Sequence, residues 1–280
     1  MKLKTLLASV VLGVLATASF AAGEAKNVQA IESAVAGSWR SADAKERDAF
    51  RHPVAALEFW GLKPGATILE IQPGGGWWTE ILAPYARATK GEFYATAADL
   101  DDPKLSENAK KGRAAFAAKY ADAAVYGKVN QVNWGANAAP LPANKFDFVM
   151  LTRGFHGWME NKAVEKNLAN VFQATKPGGV LAIEQHRAKP DQDPSVFNGY
   201  VPEKTVIAAA EKAGFKLDGK SEINANAKDT KDHPFGVWTL PPTRQSSDDG
   251  KPVDAAFDRA KYDAIGESDR MTLRFVKPRK

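Results

Sequence analysis

Ile68-Leu69-Glu70-Ile71-Gln72-Pro73-Gly74-Gly75-Gly76-Trp77-Trp78-Thr79-Glu80-Ile81-Leu82 is the stretch that decides the fold. It opens as an apolar run of strand length, passes through three consecutive glycines and continues into an amphipathic helix. Glycines at 74–76 let the backbone take positive φ and come close to a bound molecule with no side chain in the way. Glu70 stands at the carboxyl end of the predicted strand, where open α/β sheets bind their ligands. The spacing narrows the ligand. A dinucleotide fingerprint that uses Gly74 and Gly76 needs a third glycine at 79, which is Thr79. A phosphate-cradling loop needs Gly-Lys-Ser/Thr, and Trp77-Trp78-Thr79 brings no lysine. A glycine-rich corner without a ligand accounts for the same residues.

Outward from this loop, short apolar strand candidates alternate with helices: Thr67 to Ile71, Glu92 to Ala97, Ala124 to Val129, Phe146 to Leu151 and Val180 to Glu184. That alternation argues for a parallel sheet with right-handed crossovers. Between the fourth and fifth strands, Val164, Leu168, Val171, Phe172 and Thr175 recur on one helical face, and Lys176-Pro177-Gly178-Gly179 is expected to end that helix. Pro202 to Ala213 reads as a helix, Phe215 to Ile223 as a sixth strand, and the alternating Met271 to Val276 as a last one. Asn224 to Asp269 then becomes an insertion lying over the ligand edge, where long loops are usually functional or disordered. Upstream, Asn27 to Gly37 and Asp43 to Trp60 read as helices, the second with a kink or restart at His52-Pro53. They form an N-terminal cap over residues 23–64.

Met1-Lys2-Leu3-Lys4 followed by an apolar run from Leu6 to Ala18 reads as a secretory signal peptide ending near residue 22, and implies a periplasmic or secreted protein with no integral membrane segment after cleavage. The remainder suffices for one α/β domain with additions. The chain has no cysteine, which excludes thiol nucleophiles and thiolate metal sites. A formal charge of +5, with basic residues interspersed among acids, gives no clustered patch for nucleic acid.

The loop resembles the acidic-x-Gly-x-Gly-x-Gly motif of class I S-adenosylmethionine-dependent methyltransferases, with Glu70, Gly74 and Gly76 matching and Gln72 in place of the first glycine. Lys176 to Ile183 resembles the turn that leads into that family's fifth strand, and the glycine loop together with Ser268-Asp269-Arg270-Met271 resembles a group of exported bacterial methyltransferase-like proteins, over roughly Arg47 to Pro278. It implies a Rossmann-like, seven-stranded, mostly parallel sheet with an antiparallel last strand, helices on both faces, and a methyltransferase-like domain over 65–280. It also implies S-adenosylmethionine as cofactor and a small molecule as methyl acceptor. Glu70, Pro73, Gly74, Gly75 and Gly76 would surround the donor's amino-acid end. The ribose carboxylate of the family aligns with Ala97, leaving Asp99 either to substitute or to belong to the N-cap region of the next helix. Asn133 and Trp134 would meet the adenine, or would be core and loop residues.

Methyl transfer mainly requires an acceptor held in line, with a base only where the acceptor is protonated. Thr152-Arg153-Gly154-Phe155-His156-Gly157-Trp158 follows the fourth strand at its carboxyl end, so Arg153 and His156, together with His186 after the fifth strand, are the candidate catalytic residues, His156 as base. All four histidines, His52, His156, His186 and His233, are expected near this edge, although no His-x-x-x-His spacing supports a metal. A ligand-binding protein without methyl transfer, or a histidine- or metal-dependent hydrolase on the same scaffold, are the competing readings.

Overall fold

The computed structural model describes residues 23–279. The signal-peptide expectation, residues 1–22, lies outside the described residues. Among them no helix is long and apolar enough to cross a membrane.

Seven strands form one sheet in the order β3-β2-β1-β4-β5-β7-β6. They are β1 (Thr67–Ile71), β2 (Glu92–Ala98), β3 (Val129–Trp134), β4 (Phe146–Thr152), β5 (Thr175–His186), β6 (Lys216–Ser221) and β7 (Arg270–Val276). β1 pairs in parallel with β2 and β4, whereas β7 runs antiparallel to both β5 and β6. In β1 successive side chains go to opposite faces: Ile68 joins one core with Phe93, Phe148 and Met150, and Leu69 joins the other with Val149, Leu151 and Leu181. Both faces are covered, which is why the central strands are apolar without alternation.

Helix α1 (residues 23–36) and the short helices α2 (Ala42–Glu46), α3 (Asp48–Arg51) and α4 (Pro53–Trp60) cover the first face with α5 (Thr79–Ala88). The restart expected at His52-Pro53 is present: His52 takes φ 41° and Pro53 opens α4, where its missing N–H costs nothing. Indole N–H groups fix this cap. Trp60 donates to Leu273 O at 3.0 Å and Trp77 to Ala44 O at 2.8 Å. Pro84 lies inside α5 and cannot pair the Glu80 carbonyl four residues back, so Trp39 Nε1 donates to that carbonyl at 2.8 Å.

Past β2 come α6 (Glu107–Lys119) and α7 (Ala123–Tyr126), and past β4 come α8 (Phe155–Glu160) and α9 (Val164–Ala174). α10 (Glu203–Lys212) precedes β6, and α11 (Arg259–Asp263) lies between β6 and β7. Two strands differ from expectation by more than two residues. The third strand is Val129–Trp134 and not Ala124 to Val129, because Asp122 caps Ala124 N–H at 2.9 Å and turns Ala123–Tyr126 into helix. The fifth strand starts at Thr175, so Lys176-Pro177-Gly178-Gly179 lies inside it. The ladder to β4 is irregular between Phe146 and Phe148, and Gly178 takes φ 80°.

Candidate active site

The parallel strands end together at Ile71, Ala98, Trp134, Thr152 and His186. The glycine loop leaves β1 at their centre. Gln72, Gly74 and Gly76 have φ of 52°, 57° and 83°, and Gly76 N–H donates to Pro73 O at 2.9 Å. A Cβ on Gly76 would lie 1.8 Å from Tyr120 Oη, so this glycine exists for packing against the end of α6. A Cβ on Gly74 or Gly75 would meet nothing within 4 Å. These two line a cavity of about 520 Å³, together with Pro73, Arg47 of the cap, Arg153 and His156 after β4, His186 of β5, and Val237 and Trp238 from the β6–β7 segment.

Glu70 is buried behind the loop and does not line the cavity. Burial pushes its carboxyl up to about 7, against the hydrogen bond that Thr79 Oγ1 donates at 2.6 Å and the nearby Arg153. Gln72 takes the left-handed backbone that a glycine would adopt without strain, and its Oε1 accepts from Trp158 Nε1 at 2.8 Å.

Arg153 also has positive φ, 54°, and its N–H donates to Glu184 O at 2.7 Å, which holds the turn after β4. The two histidines of this wall have ring centroids 5.8 Å apart. Burial holds the His156 imidazole below its usual value, and burial together with His156 and Arg153 holds His186 well below. The Gln185 amide fixes one tautomer. Its Oε1 accepts from Phe155 N–H at 3.2 Å and its Nε2 donates to Gly199 O at 3.0 Å, so the NH₂ also donates to His156 Nδ1 at 3.2 Å. In this arrangement His156 Nδ1 accepts and the ring proton sits on Nε2. His186 Nδ1 lies 2.5 Å from Ser268 Oγ, a partner that can donate or accept and so satisfies either tautomer.

Asp99, Asn133 and Trp134 do not reach this cavity; they sit at the ends of β2 and β3. Asp99 directly follows a strand one residue longer than expected, is 6% exposed, and accepts from Asp101 N–H at 3.0 Å. The cap of the next helix is Ser106, so Asp99 is not its N-cap. The neighbouring Leu100 is 54% exposed. Asn133 is engaged at both ends of its amide: Oδ1 accepts from Arg113 Nη1 at 2.5 Å and Nδ2 donates to Asp101 Oδ2 at 3.0 Å. Trp134 stacks on Trp158 at 5.9 Å.

His52 and His233 lie elsewhere: His52 is 3.2 Å from Asn224 Oδ1, and His233 Nε2 is 2.8 Å from Asp229 Oδ1. The expectation of four histidines at one edge holds for two. Among the described residues no group of three or more His, Cys, Asp or Glu side chains could hold a metal ion. Sequence reasoning missed Arg47, which lines the cavity from a helix assigned only to the cap, and Leu100 beside Asp99.

Comparisons with known proteins agree with this edge. Residues 69–183 match the methyltransferase-domain family. The ubiquinone/menaquinone biosynthesis C-methyltransferase UbiE of Shewanella halifaxensis is 30% identical over 137 residues, 49% of each chain. The chain thus spans about half the length of the curated relatives it matches. Among solved structures, a SAM-dependent methyltransferase from Aquifex aeolicus is 24% identical, with a TM-score of 0.48 over 64% of this chain and 87% of its own. The [4+2]-cyclase SpnF is 14% identical with a TM-score of 0.51 over 92% and 96%, and shares the fold. Residues 69–183 thus resemble a methyltransferase domain, and the seven-stranded sheet that carries them has a Rossmann-like fold.

Proposed function

We propose that the protein is an S-adenosylmethionine-dependent methyltransferase acting on a small molecule held in the cavity between the glycine loop, the β4 and β5 ends and the β6–β7 segment. The observation that carries this reading is the open backbone of Gly74 and Gly75 on the cavity wall, near the start of the residues 69–183 that match the methyltransferase-domain family.

The donor set fits the cofactor. Asp99 is a nearly buried carboxylate with one backbone donor on Oδ1, suited to accept from a ribose diol, and Leu100 beside it offers exposed apolar surface for a base. Gly74 and Gly75 leave room for an amino-acid end, with Glu70 behind them tuning the loop. When bound, the cofactor supplies an electrophilic methyl group. The chain's own residues then hold the acceptor in place, which is the larger part of the catalysis. His186 Nε2 is the group available to accept an acceptor's proton once Nδ1–H donates to Ser268, and His156 Nε2–H is a donor that orients the acceptor.

The first residues support a further proposal, that the chain is exported with a leader of about 22 residues. The mass of the protein recovered from the periplasm or medium checks this: an intact Met1 terminus on all of it overturns the leader.

Titration calorimetry of the folded protein with S-adenosylmethionine and S-adenosylhomocysteine tests the main reading. Saturable binding of both is expected, and no heat or thermal shift at millimolar ligand overturns it. Ligand binding without methyl transfer is the second reading, favoured by the engagement of His156 Nδ1 with Gln185. Tight S-adenosylhomocysteine binding with no radiolabelled methyl incorporated from S-adenosylmethionine into any small-molecule extract would select it.

A further inference from the structure

Four guanidinium groups converge below the cavity from segments far apart in the chain: Arg47 between α2 and α3, Arg51 of α3, Arg153 after β4, and Arg270 at the start of β7. Two carboxylates face them. Glu267 accepts from Arg47 Nε at 2.7 Å, Arg51 Nε at 2.9 Å and Arg270 Nη1 at 2.8 Å, and Glu184 lies 3.0 Å from Arg270 Nη1. Glu70 is the third acid near Arg153, and its burial moves it towards the neutral form. The cations outnumber the anions, and the excess is unpartnered. Arg51 is fully buried, with its Nε on Glu267 and its face on Trp77 at 4.6 Å, while Nη1 and Nη2 have no hydrogen-bond partner. Arg153 makes no side-chain hydrogen bond and no ion pair with any described residue, and its guanidinium borders the cavity.

A protein does not retain an unmatched buried cation without cause, since desolvation penalises it heavily. The other charges on the cavity wall do not neutralise this group: Lys119 and Glu80 pair with each other at 2.8 Å, and Asp43 is at the exposed rim. Above Arg153 the wall is apolar and aromatic, with Trp77, Val237, Trp238 and Pro241. Arg153 lies within residues 69–183, the part that matches the methyltransferase-domain family, whereas Arg47, Arg51, Glu267 and Arg270 lie outside it. A device that every member needs for the common cofactor would sit inside that part. One that selects the individual acceptor need not.

We propose that this cationic floor, with Arg153 and Arg47 as the contacting groups, is an anion-binding subsite that takes the carboxylate or phosphate of an acceptor whose body is apolar or aromatic. Guanidinium groups match either anion in a bidentate, charge-assisted fashion. The substrate class therefore follows from the charge balance and the wall, and this step rests on the methyltransferase reading only for the word acceptor.

The test uses benzoate and phenyl phosphate as probes, with benzamide as the neutral control, titrated calorimetrically into the full protein alone and saturated with S-adenosylhomocysteine. At least one anion is expected to bind 10-fold or more tightly than benzamide in both forms, and the tighter anion names the head group. Arg153→Gln is expected to lower that affinity at least 10-fold and S-adenosylhomocysteine affinity less than 3-fold. Arg47→Gln serves as a second variant, its residue being partly exposed, with a loss of the same sign. Equal binding of anions and benzamide, or no binding of any, overturns the proposal. So does displacement of the anion by S-adenosylhomocysteine, which would assign the floor to the cofactor's own amino-acid carboxylate. Anion binding in a protein that binds neither S-adenosylmethionine nor S-adenosylhomocysteine would uphold the subsite and overturn the methyltransferase reading alone.

Discussion

The two halves of the ligand edge are built on opposite electrostatic plans. At the ends of β2 and β3, an isolated carboxylate, Asp99, stands beside an exposed leucine, and the neighbouring Asn133 is tied up by Arg113 and Asp101. At the ends of β4 and β5, cations gather under an aromatic wall and both histidines are held neutral. The first half consists of residues local to two adjacent strands. The second is assembled from the cap, the sheet and the segment before β7. A generic ligand can be served by the local half, whereas the assembled half can vary with the acceptor without disturbing the loop.

The largest effect expected from breaking this contrast is in the assembled half. Glu267→Ala leaves Arg47, Arg51 and Arg270 without their shared counter-ion, and should cost about 3–5 kcal/mol of stability, read as a lowered denaturant midpoint. A change below about 1 kcal/mol would mean that the cluster is not a structural unit.

Glu70, between the halves, should give a pH signature. Its folded pKa of about 7 lies above the usual 4.5 of the unfolded chain, so the native state binds the extra proton, and stability falls as pH rises from about 4.5 to 7, by roughly 3 kcal/mol. Glu70→Gln should flatten that part of the profile in urea titrations at several pH values, and an unchanged slope would remove Glu70 as its source. The histidines act in the opposite sense. Their folded pKa values are depressed, so their contribution is present above the unfolded value near 6.5 and lost as pH falls below it.

A smaller effect is expected in the local half. Asp99→Ala should weaken S-adenosylhomocysteine by about 1.5–3 kcal/mol, the range for a hydrogen bond to a charged group, and leave benzoate affinity unchanged. Equal losses for both ligands would erase the distinction between halves. The smallest is spectroscopic: imidazole nitrogen shifts should report His156 as the Nε2–H tautomer at pH 7, and an Nδ1–H tautomer would overturn that assignment.

Much of this was legible in the chain. Glu70 and the three glycines place β1 and its loop because a continuous apolar run followed by glycines has few other solutions in an α/β sheet. The third strand was misplaced for a physical reason. Val129-Asn130-Gln131-Val132-Asn133-Trp134 is polar because it is an edge strand, whereas the more apolar Ala123-Ala124-Val125-Tyr126 is a capped helical turn. Gly76 reads like a ligand glycine but is fixed by Tyr120, a contact across the fold that spacing cannot reveal. The arginine cluster was illegible for the same reason: Arg51 and Glu267 meet across 216 positions.

The antiparallel pairing of β5 with β7 places His186 opposite Arg270 and Glu184 opposite Thr272. Non-local pairings close only after a large loss of chain entropy, which makes them late events in folding. A partly folded chain could thus hold its glycine loop and β1–β4 in register while the acceptor wall is still open. Competence to recognise an acceptor would be the last property the molecule acquires and the first it loses on local unfolding, so hydrogen exchange along β7 should report that loss ahead of global unfolding.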